Sequence, residues 1–170
     1  FAAQANAEYR WMNNYKAKTG VGFTALSGDD HKTKGYEGWD PMFEDQTPAE
    51  IINILAANSN VYLTRLYGSF MPREDITLGL VYANAQLMRK VPNSTWSSKG
   101  AYYNYSAWYG LSGSAIAGNV YSIKNDKRYF GDEVDVWGTY DYTEDVQLKL
   151  VAATFMPGSF FAKENDKTAY

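Results

Sequence analysis

The sequence predicts an all-β protein: an antiparallel transmembrane β-barrel segment with long outward loops. Three observations predict it. Apolar and polar residues alternate with period two in several stretches of about ten residues, the length a tilted strand needs to cross a bilayer. Short polar turns alternate with connections far longer than those of a compact soluble domain. The 170 residues include 15 Tyr and 5 Trp, which supply much of the apolar character while mean hydropathy stays at -0.45. Such amphipathic rings are favoured where one end is dry and the other wet.

The first hairpin begins with Ala5, Ala7, Tyr9 and Trp11 facing away from Asn6, Glu8 and Arg10. It turns near Lys16 to Gly20, and Val21, Phe23 and Ala25 carry the chain back. In the second, Tyr62, Leu66 and Phe70 alternate with Arg65 and Ser69. Pro72 to Asp75 makes the turn, and Ile76, Leu78, Leu80 and Tyr82 form the apolar side of the returning strand. The third runs from Glu133 to Tyr142, with Val134, Val136, Gly138, Tyr140 and Tyr142 on one side and Glu133, Asp135, Trp137, Thr139 and Asp141 on the other. After Thr143-Glu144-Asp145 its partner places Val146, Leu148, Leu150, Ala152 and Met156 opposite Gln147 and Lys149. Alternation bounded by turn residues is the signature of a hairpin, and the count is about six strands.

The connections between hairpins run from Ser27 to Asn60 and from Arg89 to Phe130. Short turns at one end and long loops at the other are the asymmetry of outer-membrane barrels. The first long loop carries a helix start. Thr47 is placed as N-cap, Pro48 suits the first helical position, and Glu50 completes a capping box before Ile51, Ile52, Ile54 and Leu55. About three turns ending near Asn58 are expected. The helix packs across the barrel mouth or against the inner wall, or else lies on the surface tied down by neighbouring loops.

Composition excludes several classes. No apolar run approaches the roughly 18 to 20 residues of a transmembrane helix. There is no cysteine, so no disulfide framework or thiolate metal site, and His31 is the single histidine. The chain opens on Phe1 without a leader, so the expectation is a sequence starting inside a longer gene product or after a cleaved segment. A net charge of -3 argues against nucleic acid as a partner.

In the barrel reading the polar side of each strand lines the lumen, giving Glu8, Arg10, Arg65, Glu133, Asp135, Asp141 and Lys149 as lumen residues. Asp29, Asp30, Asp40, Glu44 and Asp45 share one outward loop; hard oxygen ligands of this kind suit calcium, though the spacing matches no EF-hand and a solvated acidic loop is the plainer reading. Glu133 and Asp135 have the residue types of a glycosidase pair, but two positions apart on one strand they more simply line a wet lumen. With no nucleophile elbow, phosphate-binding glycine loop or metal-spaced histidine pair, neither an enzyme nor a cofactor is expected. Trp96, Tyr102, Tyr103, Tyr105, Trp108 and Tyr109 form the densest aromatic run. It reads as a ligand-contact surface for sugars or as the interfacial aromatic girdle.

Leu26-Ser27-Gly28-Asp29-Asp30, then Gly38-Trp39-Asp40-Pro41-Met42-Phe43, then the helix from Ile51 to Asn60 leading into a strand, resembles the alginate-export family of bacterial outer-membrane β-barrels. So does the ending, where Gly131-Asp132-Glu133-Val134-Asp135 opens a strand and Phe155-Met156-Pro157-Gly158-Ser159-Phe160-Phe161 closes its partner. The resemblance covers most of the chain and is to the C-terminal third of such proteins. It implies a single-chain barrel of roughly eighteen strands, of which residues 1–170 would be one partial domain lacking the terminal closing strand. The expected function is an outer-membrane channel, porin-like or exporting a polysaccharide or small solute, with loops narrowing the outer mouth. The alternatives are a structural barrel scaffold holding a partner protein at its lumen, and a carbohydrate-binding β-sandwich. The expected surroundings are outer-membrane lipid, an anionic polysaccharide or small solute, and a periplasmic or outer-membrane partner protein.

Overall fold

Six strands and one short helix follow the chain in the order β1 (Ala2–Arg10), β2 (Lys18–Leu26), α1 (Glu50–Leu55), β3 (Val61–Arg73), β4 (Ile76–Leu87), β5 (Tyr129–Asp141) and β6 (Gln147–Pro157). The computed structural model describes residues 1–30, 32–40, 42, 47–56, 59–90, 127–161 and 168. The strands form one open sheet in sequence order, β1-β2-β3-β4-β5-β6, with every neighbouring pair antiparallel. Strands of 9 to 13 residues at about 3.4 Å per residue extend ~30 to 44 Å.

Because opposed residues in an antiparallel ladder project to the same side, the register sorts every side chain onto one of two faces. One continuous row reads Ala5, Phe23, Thr64, Asn84, Asp132, Met156, and the adjacent row Asn6, Gly22, Arg65, Ala83, Glu133, Phe155. The first row belongs to an apolar face on which Val21, Phe23, Leu66, Phe70, Leu78, Leu80, Val136, Leu148 and Leu150 are all exposed. At the long-loop end this face turns polar with Asn84 and Asp132, where Asp132 accepts from both the Asn84 side chain and the Tyr82 hydroxyl. The second row belongs to a polar face carrying most of the strand charges. The large side chains of that face are accommodated by missing ones: a Cβ on Gly79 would meet the Trp137 ring at 2.2 Å.

The short turns all lie at one end of the sheet and both long connections at the other, as the meander requires. Two turns sit differently from their expected places. The first spans residues 11–17, and Lys18, Thr19 and Gly20 already belong to β2. Asn13 sets it, its side-chain oxygen accepting the amides of Tyr15 and Ala17 at 3.1 Å while Lys16 adopts φ 46. The second is confined to Glu74 and Asp75, since β3 continues through Pro72 by means of a register shift between Phe70 and Arg73. A bulge is where a strand tolerates a proline. Arg73 reaches across this turn to Asp75 and holds its carboxyl below the usual carboxylate range. The third turn, Thr143 to Asp145, stands as expected, with the Thr143 hydroxyl accepting the Val146 amide at 3.1 Å.

β5 begins at Tyr129, four residues before the expected Glu133. The apolar core explains why. At the long-loop end the polar face becomes apolar: Leu26, Val61, Leu63, Ala83, Ala85, Leu87 and Phe155 are buried there under α1, together with Phe130, Phe160 and Phe161. Phe130 stacks on Phe160 with ring centroids 5.6 Å apart and meets Phe161 edge-on at 5.1 Å. A register shift between Ala85 and Gln86 leaves Phe130 without a partner on β4 and aims it into this cluster. The next residue, Gly131, has φ 152, and a Cβ there would lie 2.5 Å from the Met156 carbonyl oxygen. Gly131→Ala is therefore expected to destabilise the sheet by about 1 to 3 kcal/mol, measured as a lowered midpoint in a urea folding titration.

Candidate functional site

The ladder brings all seven expected lumen residues, Glu8, Arg10, Arg65, Glu133, Asp135, Asp141 and Lys149, onto the same polar face. Toward the short-turn end Glu8, Arg10, Asp141 and Lys149 are open to solvent and weakly paired, while Arg65, in the row of Glu133, is partly buried. Glu8 bridges Arg10 at 3.1 Å and Lys18, on the neighbouring strand, at 3.7 Å. Arg65 donates to the Asn6 side chain at 3.0 Å and lies over the Tyr67 ring, 5.5 Å from its centroid. Asp141 accepts from Gln147 at 2.6 Å.

Glu133 and Asp135 have a different environment. Their side chains share the polar face, but they are 0% and 3% exposed because α1 sits on them. The Glu133 carboxylate accepts the amide of Ile51 at 2.8 Å through one oxygen and that of Ile52 at 2.6 Å through the other. Asp135 accepts the amide of Glu50. The first three amides of the helix, which have no partner within a helix, are thus taken by two carboxylates some eighty residues away in sequence. Hydrogen bonds of this kind to charged groups contribute about 1.5 to 3 kcal/mol each, and the positive end of the peptide dipoles favours an anion there.

This tertiary cap replaces the expected local one. Thr47 is not the N-cap: that position is Ala49, no side chain caps the helix locally, and the Thr47 hydroxyl is buried with no hydrogen-bond partner. The Thr47 amide instead donates to the side-chain oxygen of Asn53 at 3.2 Å. The helix is also shorter than expected, ending at Leu55, and Asn58 lies outside the described residues. The helix lies on the polar face of the sheet, with Ile52 and Ala56 wholly buried against β-strand side chains. No period-two rule could reveal that Glu133 serves a helix. The available signal was the apolar run Ile51, Ile52, Ile54, Leu55, which needs a seat, opposite a face that becomes apolar at Leu63, Ala83 and Ala85.

The roots of the long loops are tied together. Asn60, at φ 54, exchanges side-chain hydrogen bonds with the Arg89 backbone, accepting at 2.8 Å and donating at 3.2 Å. Ser27 accepts the amides of Trp39 and Asn60. In the acidic loop, Asp29 accepts the Glu37 amide at 3.0 Å, and Asp30 accepts the Lys32 amide at 3.2 Å and pairs with Arg89 at 3.3 Å. Partial burial, reinforced by Asp40 and Asp29, pushes the Tyr36 phenol above its ordinary value. Glu44 and Asp45 lie outside the described residues, among which no three acidic or metal-binding side chains come together. Trp96, Tyr102, Tyr103, Tyr105, Trp108 and Tyr109 also lie outside them. Other aromatics gather at the short-turn end: Tyr9 meets Trp11 edge-on at 4.9 Å, and Tyr140 meets Tyr142 at 6.3 Å. Tyr82, on the apolar side, occupies the middle of β4 opposite Leu66 and Val134.

The sequence matches no protein-family model and no curated protein. The carboxylate cap has a direct consequence. Glu133→Ala leaves the Ile51 and Ile52 amides buried without acceptors, so amide hydrogen exchange is expected to show protection lost through residues 50–55 while β3 and β4 keep theirs.

Proposed function

We propose that this chain is a segment of a bacterial outer-membrane β-barrel that forms a channel, with lipid on its apolar face and a wet lumen on its polar face. The observation that carries the reading is the two-faced sheet: six strands expose apolar side chains on one side and charged ones on the other. Soluble monomers rarely leave so broad an apolar surface uncovered, whereas an outer-membrane strand alternates in this way. Tyr9, Trp11, Tyr140 and Tyr142 at the short-turn end suit a headgroup-level girdle. Among the described residues β1 and β6 each pair with one neighbouring strand only, and further strands of a larger barrel would satisfy their outer backbone groups. The likeness to the alginate-export family suggests about eighteen strands and a polysaccharide or small solute as cargo.

In this reading the long loops face outward and α1 narrows the mouth from inside. The protein conducts rather than catalyses. A carbohydrate-binding sandwich would bury the apolar face under a second sheet, and among the described residues there is a single sheet. A scaffold barrel differs from a channel in what crosses it, so the deciding experiment is planar-bilayer conductance of the full-length protein. Steady single-channel current supports the channel, and a membrane-inserted protein that passes none supports the scaffold. The faces are tested separately. Leu80→Arg, on the apolar face, is expected to cost roughly 2 to 4 kcal/mol in a folding titration into lipid vesicles, and Thr139→Arg, on the polar face, much less. Equal costs would contradict the assignment of lipid to the apolar side.

A further inference from the structure

We propose that α1 is a charge cover that sets ion selectivity, hiding Glu133 and Asp135 from the lumen while seated and exposing both carboxylates when it leaves. The inference rests on the channel reading above. With α1 seated, the charges of the polar face that solvent reaches are Arg10, Lys149 and the partly buried Lys18 and Arg65 against Glu8 and Asp141, an excess of cations. With Glu133 and Asp135 uncovered, positive and negative side chains on these strands balance. The change falls where it acts on passing ions. Glu133 and Arg65 occupy one row of the ladder, separated only by Ala83, so they stand roughly 10 Å apart. That separation is comparable to the screening length in physiological salt.

The seat is built to be all or none. A helix of six residues is too short to persist alone in water, so α1 is helical only while the carboxylates take its amides and Ile52 fills the apolar cluster. Removing either support unfolds the segment rather than shifting it. The seat also carries a built-in weakness: one oxygen of Asp135 and the hydroxyl of Thr47 are buried without partners, and a partly satisfied buried network costs stability. A substitution that removes one support is therefore expected to release the segment.

The test measures single-channel conductance and the reversal potential in a potassium chloride gradient. Ile52→Ser empties the apolar seat and leaves both carboxylates in place. The expected result is a higher conductance together with a severalfold fall in the chloride-to-potassium permeability ratio. Adding Glu133→Gln and Asp135→Asn to Ile52→Ser should keep the conductance gain and abolish the selectivity shift. If Ile52→Ser does not fold, deletion of residues 47–56 replaces it with the same expected readings. A wider pore with unmoved selectivity, or a shift that survives removal of both carboxylates, overturns the charge cover and leaves the channel standing. A wild-type protein that passes no current overturns the channel reading, and this inference with it.

Discussion

Side chains along a strand alternate with a period of two, and a shift of one residue would move an entire strand's side chains to the opposite face. In this protein that constraint propagates through five strand pairs, so that Ala5 on the first strand and Met156 on the last belong to one row. The two irregularities in the ladder, at Phe70/Arg73 and Ala85/Gln86, lie close to strand ends and leave the central rows intact. One sheet can then present two solvents with two chemistries. The rest follows from it: an apolar face in need of cover, a polar face bearing the charges, and turns and loops segregated to opposite ends.

The polar face contains a second, smaller arrangement in which helix and strand satisfy each other. Glu133 and Asp135 would be costly buried charges if alone, and the first amides of α1 would be costly buried donors if alone. Together they answer each other's needs, with Ile52 and Ala56 sealing the contact from water. The helix is therefore an integral part of the sheet's polar face, although it belongs to a loop. Phe130, Phe160 and Phe161 extend the same apolar patch to the rim, where the chain leaves the sheet.

Period-two patterning makes the strands readable because each residue reports its own face. That is why Leu78, Leu80, Val134, Val136, Leu148 and Leu150, and on the other side Arg65, Asp135 and Lys149, fall where the sequence alone puts them. Strand ends are harder to read. Asn13 closes the first turn early through its own side chain, and β3 runs on past Pro72 because the bulge removes the demand for an amide there. The helix start was misread for a related reason. Thr47, Pro48 and Glu50 compose a local capping signal, but Asp135, some eighty residues away, takes the Glu50 amide that Thr47 would cap, and Glu133 takes those of Ile51 and Ile52 with both oxygens in dry surroundings. Long-range partnerships of that sort leave no local pattern.

These 170 residues contain no cysteine, so, with any cysteine elsewhere in the full-length protein replaced by serine, labelling at single sites directly tests whether the two faces meet lipid and water. Single cysteines placed in turn at residues 132–140 of β5, spin-labelled in the full-length protein in lipid vesicles, report collision with oxygen, which concentrates in lipid, and with a water-soluble nickel chelate. The account predicts a period of two, with oxygen favoured at Val134, Val136 and Gly138 and the nickel reagent at Trp137 and Thr139. Accessibility to the nickel reagent on both faces, or a protein that stays in the aqueous phase, would contradict it.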